Sequence, residues 1–394
     1  MATSALARAA MQGAARPRAA VVILTQNTDV RKAYLKTTLY FLFKHWNARF
    51  RYPVLIFHEG DYDAMSQREI LLGVRMECRD LVSFVALDPD DFKVPPHIDQ
   101  DRMRRCLALK PVPYWRNDKY RLMCRWWITE LSKYTAGYDY VMRLDDDSII
   151  EEPVSRDLFA YMAERDLVYA GNIIHTDCGI CCHGMREFFS DQIAQAAAAD
   201  GDSASAARRQ ALLASLFTSQ DIPPKSVMFH PFRQILSILG ADGRGGAAGG
   251  MPDLTKDIKI QSPRMFFNNF FITQTAFWRR PEIQSIARAF DLDGRWAYLR
   301  WGDSPIQSLI VSLFAKPEEV ATVKFAYSKR LTREAFVGET VTGAKEIYAY
   351  TPAFYCQTSC VTDPPPPEEV VKAARDVAPA AAAVAAAAVV GASA

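Results

Sequence analysis

The sequence has almost no net charge and no long apolar run near its start, and each absence removes a class of function. Lys and Arg number 47 against 45 Asp and Glu, leaving +2. With the basic residues scattered and not striped, nothing forms the electrostatic footprint of a nucleic-acid-binding protein. Residues 1–19 carry Arg8, Arg16 and Arg18, many alanines and no acid. That is the composition of a disordered leader or targeting peptide, with no stretch long and apolar enough for a signal anchor. A phosphate-cradling loop is missing too, because Gly243, Gly245 and Gly246 neither follow a strand nor open a Gly-Lys-Ser helix. Eight cysteines permit disulfides, but a chain of 394 residues does not require them. Cys178, Cys181, Cys182 and His183 have zinc-like spacing, yet no second pair lies nearby to complete a tetrahedral site, which leaves a disulfide or buried thiols as the simpler reading.

What is present is a large core. Hydrophobic residues make up 49% of the chain and charged residues 23%, the balance of a globular protein of one large or two ordinary domains. From Ala19 an apolar run breaks at Thr25, Gln26 and Asn27 and passes into a helical pattern through Tyr34, Leu35, Thr38, Leu42 and Trp46. Arg51 to Phe57 repeats the arrangement, ending at His58 to Asp61 before a helix over about 66–74. Strand, helix, strand, helix predicts an α/β fold with a central, mostly parallel sheet flanked by helices, whose ligand crevice lies at the carboxyl ends of the strands. A third strand is expected at Val82 to Leu87, a helix at Tyr120 to Tyr134, a helix at Leu158 to Glu164 and a strand at Leu167 to Ile174.

The stretch Gly137 to Ile150 carries a β-prone run straight into Asp145, Asp146 and Asp147. On a continuous strand Asp145 and Asp147 would share one face and Asp146 the other. Two carboxylates on one face suit Mn²⁺ or Mg²⁺ gripping a diphosphate; the plainer reading is a solvated turn. Further candidates are Tyr120 and Arg125 on the helix, for a phosphate or sugar, where packing or an ion pair competes. Asn268 and Asn269 are set among aromatics, to bond a sugar or their own backbone. Asp303 lies beside the aromatics Trp296, Tyr298 and Trp301, as a sugar-binding wall or as a helix cap. Residues 190–262, with six glycines between Gly240 and Gly250, read as a flexible insertion with one helix near 231–239. After Cys360 come four prolines and an alanine-dominated tail over 363–394, disordered or helical sooner than a membrane anchor.

Three phrases in order, Tyr120-Arg121-Leu122-Met123-Cys124-Arg125, Arg143-Leu144-Asp145-Asp146-Asp147 and Arg300-Trp301-Gly302-Asp303-Ser304-Pro305, resemble the fungal GDP-mannose-dependent α-1,2-mannosyltransferase family, the glycolipid 2-α-mannosyltransferases. Met265 to Trp278 and the opening strand with Asn27 and Asp29 are similar as well. The resemblance implies a single catalytic domain over 20–362 with the GT-A nucleotide-sugar transferase fold. It also implies retention of configuration, Mn²⁺ (or Mg²⁺), a GDP-mannose-type donor and a glycan acceptor on protein or lipid, in a type II Golgi membrane protein. By position it assigns metal binding to Asp145 and Asp147 and active-site roles to Asp303 and Tyr120. Thr25, Asn27, Asp29, Arg125, Asn269 and Trp301 are the candidates for donor contacts. Two positions depart from the pattern: Phe271 stands where the family has its proposed nucleophilic Glu, and no histidine follows His230 to serve as a further metal ligand. A phenylalanine cannot form a glycosyl ester, so an active enzyme would use front-face attack. An inactive binding homologue, or a transferase of another nucleotide-sugar, is the alternative.

Overall fold

The computed structural model describes residues 16–240 and 256–329, together with the backbone of short strands at 334–339, 345–350 and 356–357. The leader through residue 15 and the tail 363–394 lie outside the described residues.

The first buried run forms β1 (Ala19–Leu24), followed by α1 (Asp29–Leu42), which Thr28 caps by accepting a hydrogen bond from the Arg31 amide. Then come β2 (Val54–His58), α2 (Ala64–Leu71) and β3 (Val82–Ala86). β1, β2 and β3 are parallel neighbours, as a strand-helix repeat demands. α3 (Gln100–Leu109) and α4 (Asp118–Thr129) lead into β4 (Tyr140–Leu144), which pairs parallel with the other side of β1. Every residue of β4 is buried.

Beyond β4 the chain does not continue as one strand. It turns through Asp146 and Asp147 and restarts as β5 (Ser148–Ile150) in a different sheet. The triplet is therefore not a continuous strand, yet Asp145 and Asp147 still meet one cation, Lys329, while Asp146 turns to Thr25 and Arg31.

α5 (Leu158–Glu164) precedes β6 (Tyr169–Gly171) and β7 (Ile174–Thr176), so the single strand expected over 167–174 is two strands in two sheets. The region read as a flexible insertion contains helices α6 (Met185–Asp200), α7 (Ser203–Ser215) and α8 (Phe229–Gly240) and strand β8 (Phe217–Ile222). Alanine is the best helix former, so a composition that looks like linker here makes helix instead. Residues 241–255, with most of the glycines, lie outside the described residues. β8 and β7 both pair with β9 (Ile258–Phe266).

β10 (Phe270–Gln274) inserts antiparallel between β4 and β6. After α9 (Pro281–Asp293) and α10 (Asp303–Phe314), β11 (Val320–Thr322) closes the main sheet and β12 (Tyr327–Lys329) pairs antiparallel with β5. The seven-stranded sheet runs β11-β6-β10-β4-β1-β2-β3, parallel except for β10. Its faces are covered by separate apolar clusters, one built on Trp115, Phe271, Trp296 and Trp301, another on Trp46, Ile56, Met142 and Phe270. No described helix is long and apolar enough to cross a membrane.

Candidate active site

The site forms where β1, β4 and β6 end and β10 begins, the sheet edge at which parallel α/β folds place ligands. Its base is the aspartate turn. The Asp145 amide donates to the Asn269 carbonyl at 3.0 Å, and the Thr38 hydroxyl donates to the Asp146 carbonyl at 2.8 Å, so the turn is pinned from both sides.

Each carboxylate of the turn meets cationic nitrogen. Asp145 accepts from Arg143 Nε at 2.9 Å through Oδ1 and from Lys329 Nζ at 3.0 Å through Oδ2. Asp146 accepts from the Thr25 hydroxyl at 2.7 Å and from Arg31 at 2.8 Å. Asp147 lies 3.3 Å from Lys329 Nζ through Oδ1 and 3.6 Å from Arg31 through Oδ2. The 3.3 Å contact is an ion pair without hydrogen-bond alignment, which leaves Asp147 Oδ1 buried and unbonded. Burial alone would raise Asp145, but the charges of Arg143 and Lys329 outweigh it and hold it at about 2. Asp146, more deeply desolvated and offset mainly by Arg31, is pushed up to about 7.

A buried network continues from Arg143. Its guanidinium also binds Asp303, which in turn accepts from the Asn268 amide at 2.9 Å. Asn268 donates to Gln307 as well, and Gln307 to the Trp127 carbonyl. The cap of α10 is Gly302, with Asp303 at the first helical position and its carboxylate turned to Arg143 and Asn268. The helix-cap reading of Asp303 is thereby replaced by an ion-pair role. On α4, Tyr120 accepts from Arg300 at 3.3 Å. Arg300 further binds Asp177 at 3.1 Å and the Cys181 sulfur at 3.0 Å. Its backbone is held at φ +75°, a left-handed conformation that side chains seldom adopt and that the surrounding bonds maintain.

Two amides stand apart. Asn269 and Asn172 are 3% and 2% exposed, and neither side chain has a hydrogen-bond partner. Buried polar atoms are nearly always paired, so these two amides, following β6 and preceding β10, are candidates to bond a ligand's groups. Phe271, by contrast, is closed off: it stacks on Tyr169 at 5.3 Å, contacts Trp127 and lies under the Arg143 guanidinium at 5.9 Å.

Of the residues expected from sequence, Thr25, Asp145, Asp147 and Asn269 come together at this edge, Asp303 joins them through Arg143, and Tyr120 approaches through Arg300. Others do not. Asn27 donates to Ser66, and the Asp29 side chain is fully exposed beside Lys32. Arg125 is taken up by both oxygens of Asp291 and by the Asp91 carbonyl, so it is a structural ion pair and not a donor contact. Trp296, Tyr298 and Trp301 are buried, with Trp296 bonded to the Asp291 carbonyl, Tyr298 to the Asp99 amide and Trp301 to the His183 carbonyl. The expected sugar wall is core packing. Sequence reasoning missed Arg31, Arg143, Arg300, Asn172 and Lys329. Arg143 and Arg300 lay inside the quoted phrases, whereas Lys329 gave no local signal.

The residues present do not fit a divalent ion at Asp145 and Asp147. Lys329 Nζ already stands between the inner oxygens of the pair, 3.0 Å from Asp145 Oδ2 and 3.3 Å from Asp147 Oδ1, where a bridging ion would need both at roughly 2.0–2.2 Å. Among the described residues no group of three or more His, Cys, Asp or Glu gathers that could hold a metal. That includes Cys178, Cys181 and Cys182, which are free thiols.

A parallel sheet interrupted by one antiparallel strand, with an acidic turn at the strand ends, is the architecture of a GT-A nucleotide-sugar transferase. It superposes on the mannosyltransferase Ktr4p from S. cerevisiae in complex with GDP with a TM-score of 0.61 and 18% identity, covering 90% of this chain and 79% of that one. Core-mannan synthase A from Aspergillus fumigatus, in its Mn/GDP form, gives a TM-score of 0.58 and 19% identity over 91% and 83%. The chain belongs to the glycolipid 2-α-mannosyltransferase family, whose model matches residues 2–181 and 259–341. It is 24% identical over 318 residues to O-glycoside α-1,2-mannosyltransferase homolog 4 of Schizosaccharomyces pombe, covering 77% of this chain and 67% of the relative. It is 22% identical over 316 residues to the glycolipid 2-α-mannosyltransferase of Saccharomyces cerevisiae, covering 78% of this chain but 59% of that protein.

Proposed function

We propose that this chain transfers mannose from GDP-mannose to a hydroxyl of a glycan on protein or lipid, with retention, in protein glycosylation in the Golgi; the transfer of mannose is what its relatives' names support. The observation that carries the reading is the pairing, at one sheet edge, of two unbonded buried amides with a cluster of cations. Amides suit sugar hydroxyls, and Lys329 and Arg31 suit a diphosphate, which Lys meets as a compact point charge.

The chemistry follows from what Phe271 cannot do. With no carboxylate at that position, a covalent glycosyl intermediate there is ruled out. The acceptor oxygen instead bonds to the anomeric carbon on the face the diphosphate leaves, as the bond from that carbon to the phosphate oxygen breaks. The acceptor's proton passes to the departing phosphate oxygen. Positioning and charge stabilisation are all such a step asks of the protein. Asp303 and Arg143 brace the strand end that carries the aspartate turn, and Tyr120 is oriented by its bond from Arg300.

Incubating the purified protein with GDP-mannose and a panel of mannoside acceptors, while measuring GDP binding by calorimetry, tests the reading. Transfer with an α-1,2 linkage is expected. GDP binding without turnover on any acceptor would instead establish an inactive binding homologue, which the closed-off Phe271 would then explain.

A further inference from the structure

We propose that Lys329 is a resident cation that replaces a divalent metal: its ammonium lies between Asp145 and Asp147 where an ion would bridge them, and donor binding proceeds without metal. The inference rests on the nucleotide-sugar reading above and specifies how the diphosphate is held.

Geometry comes first. One nitrogen, Lys329 Nζ, contacts Asp145 at 3.0 Å and Asp147 at 3.3 Å, the bridging position of a cation shared by two carboxylates. The outer oxygens of the same two groups face Arg143 at 2.9 Å and Arg31 at 3.6 Å. A metal at bonding distance from either carboxylate would sit against at least one of these positive groups, and repulsion between charges rises steeply at such separations.

Charge agrees with geometry. Four carboxylates, Asp145, Asp146, Asp147 and Asp303, share three cations, Arg31, Arg143 and Lys329, so the cluster stands within one charge of balance before any metal is added. A divalent ion beside Lys329 would turn it net positive until a diphosphate arrived.

The lysine is also placed by backbone and not by chance of a long side chain. β12 pairs with β5 so that Lys329 stands opposite Ser148, the residue after Asp147. The Tyr327 and Ser148 hydroxyls lie 2.7 Å apart, and Ser328 donates to Glu151 at 2.8 Å, so both neighbours of the strand are fastened. Lys329 is only 26% exposed along its side chain, enough for a phosphate oxygen to reach it from the mouth.

The test compares the full-length protein in EDTA and in Mn²⁺. By calorimetry, GDP is expected to bind with similar affinity in both, and Mn²⁺ alone is expected to show no saturable site on the wild type. Lys329→Ala should weaken GDP binding in EDTA by roughly tenfold, the loss of one charge-assisted contact. It should also gain a Mn²⁺ site at the two inner oxygens, Asp145 Oδ2 and Asp147 Oδ1, that Lys329 otherwise occupies. Lys329→Arg should keep metal-independent binding. GDP binding by the wild type only in Mn²⁺ overturns the inference and leaves the donor reading standing. GDP binding in neither condition overturns both. Should Lys329→Ala fail to fold, the wild-type comparison with and without Mn²⁺ is decisive alone.

Discussion

The carboxylate of Asp303 is bound by the guanidinium of Arg143 across 160 residues of sequence, and both groups are almost completely buried. This pair joins the first helical residue of α10 to the centre of β4, and so couples the second half of the chain to the strand that delivers the aspartate turn.

Removing one partner of a buried ion pair strands the other charge. Asp303→Ala is therefore expected to cost about 3–5 kcal/mol of stability, far more than the roughly 1 kcal/mol of a lost helix cap. Urea denaturation followed by circular dichroism measures it. A loss of 1 kcal/mol or less would mean that Arg143 is satisfied by Asp145 alone.

Asn269 predicts the opposite balance. Its side chain makes no hydrogen bond, so Asn269→Ala has none to lose in the free protein, and the melting temperature should hold or rise. With donor present the missing amide should be felt, raising KM for GDP-mannose by roughly tenfold, or about 1.4 kcal/mol. Normal KM would remove Asn269 from the donor site.

Burial lowers the pKa of His58, His45 and His183 below the usual 6.5, since each is desolvated before any charge acts on it. A base depressed in the folded state binds fewer protons there than in the unfolded chain. Its stabilising contribution is complete above about 6.5 and is lost as pH falls toward the folded value. Asp146, raised to about 7, works in the opposite sense over the same range, so the test is the difference between proteins: between pH 7.5 and 5.5 the melting temperature of His58→Gln should rise relative to that of the wild type as pH falls. An unchanged slope in that variant would take His58 out of the account.

Cysteine reactivity should be selective. Cys178 is brought down to about 6, first by a hydrogen bond from the Cys181 thiol and then by that residue's amide, against the opposing effect of burial. Burial pushes Cys106 up to about 11 and Cys124, Cys181 and Cys182 well above the ordinary value. Brief alkylation with iodoacetamide at pH 7, mapped by peptide mass spectrometry, should label Cys178 first among the six described cysteines. Equal labelling of Cys106 would contradict it.

Much of the sheet was legible because its signals are local. β1, β2 and β4 are apolar runs that end in polar residues, and helical periodicity marked α1, α4 and α5. The aspartate turn was legible as chemistry but not as geometry. The triplet marked a strand end or a turn, since Asp is disfavoured in strands, but nothing local showed that Ser148 to Ile150 would pair with β12 in another sheet. Trp296 and Trp301 misled for a related reason. An aromatic beside an aspartate looks the same in sequence whether it faces a sugar or the core, and here backbone carbonyls already hold both indoles. Lys329 was beyond reach altogether, since 184 residues separate it from Asp145 and nothing around it is acidic.

The aspartate turn also draws its balance from distant parts of the chain. Three adjacent carboxylates repel one another, and the cations that offset them come from α1, β4 and β12. A chain cut before β12 would keep all seven strands of the main sheet and lose only Lys329 from the three. The charge at the mouth is thus separable from the sheet that carries it.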